Sequence, residues 1–131
     1  MRIEDYESKH DVTDPRDIRA VLSKRYDDRN TFWLFHGDEE FPEMNILANG
    51  ELAYVHFFPR EGHPGLASVG ALPNLRPGED MVFFLYNSRE PIEVMNESVI
   101  AFSDALKAAQ EFAISKSLPK CIRWRSLVRG E

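Results

Sequence analysis

The chain holds 131 residues, 43% hydrophobic and 29% charged, with 22 acidic side chains against 16 Lys and Arg and a formal net charge of −6. That size predicts a single domain, residues 1–131, that buries about two-thirds of its unfolded surface without a metal or disulfide staple; Cys121 is the only cysteine, so no internal disulfide can form. No apolar run approaches the roughly 18 residues that span a bilayer, and the acidic start Met1-Arg2-Ile3-Glu4-Asp5-Tyr6-Glu7 lacks a signal peptide's apolar centre, so the expected location is the cytoplasm.

The first predicted element is an amphipathic helix from Pro15 to Tyr26. Asp14 is a good N-cap, Pro15 suits the first turn, and Ile18, Val21, Leu22 and Tyr26 fall at helical spacing. Asp27-Asp28-Arg29-Asn30 closes it. A β-rich middle follows, opening on the aromatic run Thr31 to His36, which ends at Gly37-Asp38-Glu39-Glu40. Met44 to Ala48 and Glu51 to Phe58 flank Asn49-Gly50, a strong hairpin signal. In the second arm Ala53, Val55 and Phe57 share one face, and Leu52, Tyr54, His56 and Phe58 the other. Both faces are largely apolar, which predicts a central strand covered on two sides.

Pro59 to Gly65 reads as a turn-rich loop, Leu66 to Val69 as a short strand and Leu72 to Asp80 as a surface loop. Met81 to Tyr86 is another strand, turning at Asn87-Ser88-Arg89-Glu90 into Ile92 to Met95. A second helix is predicted from Phe102 to Lys116, with Phe102, Ala105, Leu106, Ala109, Phe112 and Ala113 on one face and Pro119 placed to stop it. Cys121 to Trp124 forms a last strand. The sum is an α+β protein: an antiparallel sheet of about five to six strands with two main helices, one N-terminal and one C-terminal.

Charge is unevenly distributed. Residues 116–131 carry +4, whereas the preceding 115 residues hold 21 acids and 11 bases, a net of −10. An acidic body repels phosphate, so direct nucleic-acid binding is disfavoured and a basic partner fits better; ordinary solubility accounts for the same number. Residues 125–131 form a basic end that either frays or alters the contact surface.

Catalytic chemistry finds little support. His56, Glu61 and His63 could offer a metal two nitrogens and a carboxylate, but their spacing matches no helix-borne ligand pair and no further fixed ligand is near. His56 lies within an aromatic strand, where a half-buried structural histidine is the better reading. Cys121, between Lys120 and Ile122, reads as a packing residue, and Ser68 lacks the strand-to-helix elbow of a serine nucleophile. Gly62, Gly65 and Gly70 fit no phosphate loop, and Glu39-Glu40 and Glu79-Asp80 lie in solvated turns. No cofactor, metal or catalytic residue is assigned. The loop Gly62-His63-Pro64-Gly65 stays open to two readings: a presented recognition loop, or a tight turn that needs glycine.

The stretch Leu47-Ala48-Asn49-Gly50-Glu51-Leu52-Ala53-Tyr54-Val55-His56-Phe57-Phe58-Pro59, running into Arg60-Glu61-Gly62-His63-Pro64-Gly65-Leu66-Ala67-Ser68-Val69-Gly70, resembles the signature of the first-numbered immunity-protein family of bacterial polymorphic toxin systems. The C-terminal block agrees: Ala105-Leu106, Ala108-Ala109 and Glu111-Phe112, then Pro119, Ile122 and Trp124. The resemblance covers about residues 31–126. It departs at Arg125-Ser126, where an acid is expected after the tryptophan.

The resemblance implies a small α+β protein, encoded beside a toxin, that binds and blocks it in the producing cell. Such toxins commonly belong to the deaminase superfamily and act on nucleic-acid bases. A deaminase must attract a polyanion, and an acidic inhibitor would compete for its basic entrance. The expected contact surface combines Asp38, Glu39 and Glu40 with the loop Glu61, Gly62, His63, Pro64 and Gly65, on grounds of exposure and charge. Two alternatives remain: a small hydrolase or metal-binding enzyme using His56, Glu61 and His63, and an interaction domain unrelated to toxins.

Overall fold

A computed structural model describes residues 1–87 and 89–130; Ser88, in the turn read at Asn87–Glu90, and Glu131, in the basic end, lie outside the described residues. The strands are β1 (Arg2–Glu4), β2 (Lys9–Asp11), β3 (Arg29–Phe35), β4 (Glu43–Asn49), β5 (Leu52–Phe58), β6 (Leu66–Val69), β7 (Asp80–Phe84), β8 (Pro91–Met95), β9 (Val99–Ala101) and β10 (Arg123–Ser126). The helices are α1 (Ile18–Leu22) and α2 (Phe102–Ser115). Eight strands form one sheet in the order β10-β6-β5-β4-β3-β1-β2, with β9 also on β5, and β7 and β8 form a separate hairpin. Each of these pairings is antiparallel.

The α+β class with two helices holds, but five to six strands is too few. The strands beyond that number, β1, β2 and β9, span three residues each, too short to show a period of two. β1 and β9 are placed by pairing with the longer β3 and β5, and β2 by pairing with β1; Ile3 in β1 is fully buried opposite Leu34.

The N-terminal helix is also shorter than predicted. Asp14 does cap, accepting from Arg16 N–H at 2.9 Å, but it opens a 3-10 turn over Pro15–Asp17, and α1 ends at Leu22. Asp27 and Asp28 take φ of +54° and +68°, and Tyr26 and Arg29 exchange backbone hydrogen bonds of 2.8 and 3.1 Å. Two consecutive positive φ values make the tight reversal of a type I′ turn, so Tyr26 belongs to the entrance of β3. At the next hairpin Asn49 pairs with Leu52, so Gly50 and Glu51 form the turn, one residue later than Asn49-Gly50. Gly50, at φ +58°, takes the position where a type II′ turn requires glycine.

One face of the sheet buries Phe32, Leu34, Met44, Ile46, Val55 and Phe57 against Ile18 and Leu22 of α1 and Ala105, Ala109 and Phe112 of α2. The β7–β8 hairpin lies on the other face. There Leu47, Phe83, Val94 and Val99 form a second, smaller core with Leu52 and Tyr54 at its margin. Only part of that face is covered. Ala53, Val55 and Phe57 are buried as a central strand demands, whereas Leu52, Tyr54, His56 and Phe58 are half-buried.

Strand β5 is paired along its whole length with β4, but on its other side it has two partners in succession. Residues Leu52–Tyr54 pair with β9, and His56–Phe57 pair with β6. Val55 falls at the change of partner. Its N–H donates to Ser68 Oγ at 3.0 Å, and the same hydroxyl donates to Ser98 carbonyl at 2.7 Å. Gly70 completes the junction, its N–H donating to Glu97 carbonyl at 2.8 Å; a Cβ at Gly70 would lie 1.8 Å from Val99 carbonyl oxygen. Ser68→Ala orphans two buried backbone groups, and its expected cost is on the order of 2 kcal/mol in urea unfolding. Gly70→Ala must displace backbone and is expected to cost about 3 kcal/mol or more. Gly37→Ala, at positive φ but with open space around the added carbon, should cost only about 1–2 kcal/mol.

Candidate functional site

The pairing of Glu43 with Phe58 puts the connection before β4 and the loop after β5 at the same end of the sheet. Asp38, Glu39 and Glu40 are exposed there, in a turn closed by Glu39 N–H to His36 carbonyl at 3.1 Å. On the other loop Glu61, Gly62 and Pro64 are exposed, His63 is half-buried and Gly65 is buried. The predicted residues thus share one rim, as two separate loops flanking the β4–β5 pair.

Much of the Gly-His-Pro-Gly loop is fastened to the sheet. His56 Nε2 donates to Pro64 carbonyl at 3.0 Å, which places the proton of the neutral ring on Nε2. His63 Nδ1 accepts from Gly65 N–H at 2.8 Å. Gly65, at φ +98°, lies so close that a Cβ would be 2.4 Å from His56 Nε2. Its carbonyl accepts from Leu127 N–H at 2.9 Å, just beyond the β6–β10 pairing that contains Arg125 and Ser126. The start of the basic end is therefore tied to the sheet. Both imidazoles use a ring nitrogen on loop backbone, and among the described residues no three His, Cys, Asp or Glu side chains gather as metal ligands would.

The feature that sequence reasoning missed lies on the half of the sheet face beyond the hairpin. The strand register aligns Trp33, Asn45 and His56 across β3, β4 and β5, and Glu43 with Phe58 one step towards the rim. With Tyr54, and with Tyr86 and Met95 from the hairpin's side, they line a cleft of about 680 Å³. Tyr86, 63% exposed, stacks on Trp33 with ring centroids 6.2 Å apart, and the His56 ring lies 4.1 Å from Phe58. Alternation in β5 points to this face, but no local pattern signals that the hairpin covers only part of it.

The cleft's polar groups are poorly paired. Glu43 makes no ion pair among the described residues; burial, then the nearby Glu4 and Glu40 carboxylates, push its pKa up. Glu4 by contrast has Arg2 at 3.1 Å. Asn45 keeps 9% of its surface, and its Oδ1 is buried with no hydrogen-bond partner. Arg125 stands on the far side of the cleft, on β10 beyond β5 and β6.

The histidines generate a pH prediction. Burial pushes the pKa of His56 down, against its bond to Pro64; burial likewise lowers His36, whose Nε2 is 2.9 Å from Phe112 carbonyl. The unfolded chain then binds more protons, so stability is intact above the ordinary histidine pKa of about 6.5 and falls as pH drops below it. Urea midpoints should decline between about pH 7 and pH 5, with a shallower slope in His56→Gln, whose amide still donates to Pro64.

Comparison with known proteins identifies the family. The family model described as Immunity protein Imm1 matches residues 7–126. The chain is also similar to a protein of Burkholderia cenocepacia (strain H111) described as double-stranded DNA deaminase immunity protein. Identity is 23% over 128 residues, covering 97% of this chain and 100% of that one. With the match running from Glu7 in the loop between β1 and β2 to Ser126 at the end of β10, the chain belongs to the Imm1 immunity protein family.

Proposed function

We propose that this protein neutralises a toxin of the nucleic-acid deaminase class by binding it one-to-one in the cytoplasm of the cell that makes both. The observation that carries this reading is the family match across residues 7–126. The deaminase class rests on the name of the Burkholderia relative. Composition supports it, since the first 115 residues carry a net −10 and a nucleic-acid enzyme presents a basic surface. The adjacent gene is the place to seek the toxin. Inhibition of this kind needs a surface of roughly 800 Å² and no reacting group. A hydrolase using His56, Glu61 and His63 gains nothing from the geometry, because both imidazoles are engaged by loop backbone.

The rim formed by the exposed Asp38, Glu39, Glu40, Glu61, Gly62 and Pro64, with His63 half-buried and Gly65 buried, is the proposed steering edge of the contact. Long-range attraction between this rim and a basic partner accelerates capture and weakens with salt.

The test is co-purification with the product of the adjacent gene, followed by rescue of growth when the two are co-expressed. One-to-one capture with rescue is the expected result; neither capture nor rescue removes that partner. Lysine at Asp38, Glu39 and Glu40 together should slow association by about tenfold at low salt, with less effect at high salt. Unchanged association rates for that variant and for His63→Ala would remove the rim from the contact.

A further inference from the structure

The partial cover that the β7–β8 hairpin gives the sheet leaves three unusual things side by side. The walls are aromatic: Trp33 stacked with Tyr86 on one side, Phe58 against His56 on the other. Among the lining residues is Asn45, whose Oδ1 is buried with no hydrogen-bond partner among the described residues. At the rim is Glu43, a half-buried carboxyl beside Glu4 and Glu40 that makes no ion pair among the described residues. Each departs from how folded proteins treat such groups. Buried acceptors are nearly always satisfied, and a carboxylate withdrawn from water is normally paired.

We propose that this cleft is built to receive an arginine side chain from the bound toxin, its guanidinium packed against the aromatic walls and donating to Glu43 and Asn45. The proposal rests on the immunity reading and names the recognition chemistry within it.

Arginine suits the site for separable reasons. It is donor-only, so it satisfies a carboxylate and an amide oxygen without introducing another orphan acceptor. Its plane stacks on aromatic rings, and its weak hydration lowers the cost of leaving water. A lysine ammonium lacks the planar fork. An apolar side chain would bury Glu43 further and leave Asn45 unpaired. Asn45 lines the cleft, and the soft terminal torsion of asparagine lets its buried Oδ1 turn towards a donor.

The electrostatics run the same way. Glu4 and Glu40 lie on the Glu43 side and add to the negative potential there, Glu4 partly offset by its ion pair with Arg2. Arg125, the cleft's own cation, is carried by β10, three strands from β4, or about 14 Å at ordinary strand spacing. The cleft is therefore polarised, negative where the unpaired acceptors are. In the free protein the carboxyl is held in a place that disfavours its charge, an arrangement that a cation from outside would relieve.

Two measurements decide this. The first uses the whole protein and a small probe, N-acetyl-arginine methylamide, against its neutral citrulline isostere, following the indole N–H resonance of Trp33 by NMR. The arginine probe should shift that resonance and bind at least about tenfold more tightly than citrulline, and Glu43→Gln should remove the preference. No shift at Trp33, equal binding of the two probes, or a preference that survives Glu43→Gln would overturn the proposal.

The second measures affinity for the toxin domain captured through the adjacent gene. Glu43→Gln should weaken binding by about 30-fold or more, while Asp104→Asn, on the exposed side of α2 across the sheet, leaves it unchanged. Because burial disfavours charge at Glu43, the Gln variant should melt no lower than wild type at pH 7, which separates lost contact from lost fold. Wild-type and Glu43→Gln proteins that capture the toxin equally would sink the arginine cleft and leave the immunity reading standing. A wild type that captures no toxin would sink the immunity reading for that partner, and the arginine titration would then decide the cleft alone.

Discussion

Strand β5 changes partner at Val55, and the hydroxyl of Ser68 is what makes that change tolerable. A central strand cannot leave a backbone N–H unpaired in a dry core without a cost of about 1–3 kcal/mol. Here β9 occupies one half of the strand's free edge and β6 the other, and the Ser68 side chain takes the donor at the junction. The same hydroxyl donates to the carbonyl of Ser98, just before β9, so a single side chain joins three segments. Gly70 lets the chain leaving β6 run against Val99 at a distance no Cβ allows. With the junction made, β6 can continue to β10 and β9 can lead directly into α2. The helix-covered core follows from that route.

This junction gives the most distinctive sequence block a structural meaning. Within Gly62 to Gly70, His63 accepts from loop backbone, Gly65 fits against His56, Ser68 plugs the strand junction and Gly70 permits the close crossing. Those contacts build the frame that carries the loop. Glu43 and Asn45 on β4 and Trp33 on β3 face the half-covered side of the sheet. Val55 N–H and Ser68 Oγ are fully engaged at the junction, whereas Asn45 Oδ1 in the cleft has no hydrogen-bond partner among the described residues.

The legible parts of the chain were those with enough length to show a period. The stripe of α2 is visible because its 14 residues make several turns, and Ala53, Val55 and Phe57 alternate cleanly along β5. Alternation failed where elements are three residues long, as in β1, β2 and β9. It also misled at Tyr26, which continues the apolar stripe of α1 although Asp27 and Asp28 have already reversed the chain. The acidic rim could be read from exposure signals alone. The cleft could not, because it depends on how far the β7–β8 hairpin reaches over β4 and β5. No local pattern encodes that distance.

The tail shows how composition and placement differ as arguments. Summed over residues 116–131 the charge is +4, which on an acidic protein invites the idea of a separate basic arm. Placement dissolves that arm. Arg123 and Arg125 lie on β10, at one edge of the sheet, and Leu127 is tied to Gly65. The acids Glu4, Glu40 and Glu43 lie towards the opposite side of the same open face. The cleft therefore carries a charge gradient, from Arg125 on β10 to Glu43 on β4. A net charge attracts a basic partner from any direction, whereas a gradient also turns it, so that encounter and orientation are set by the same strands that build the fold.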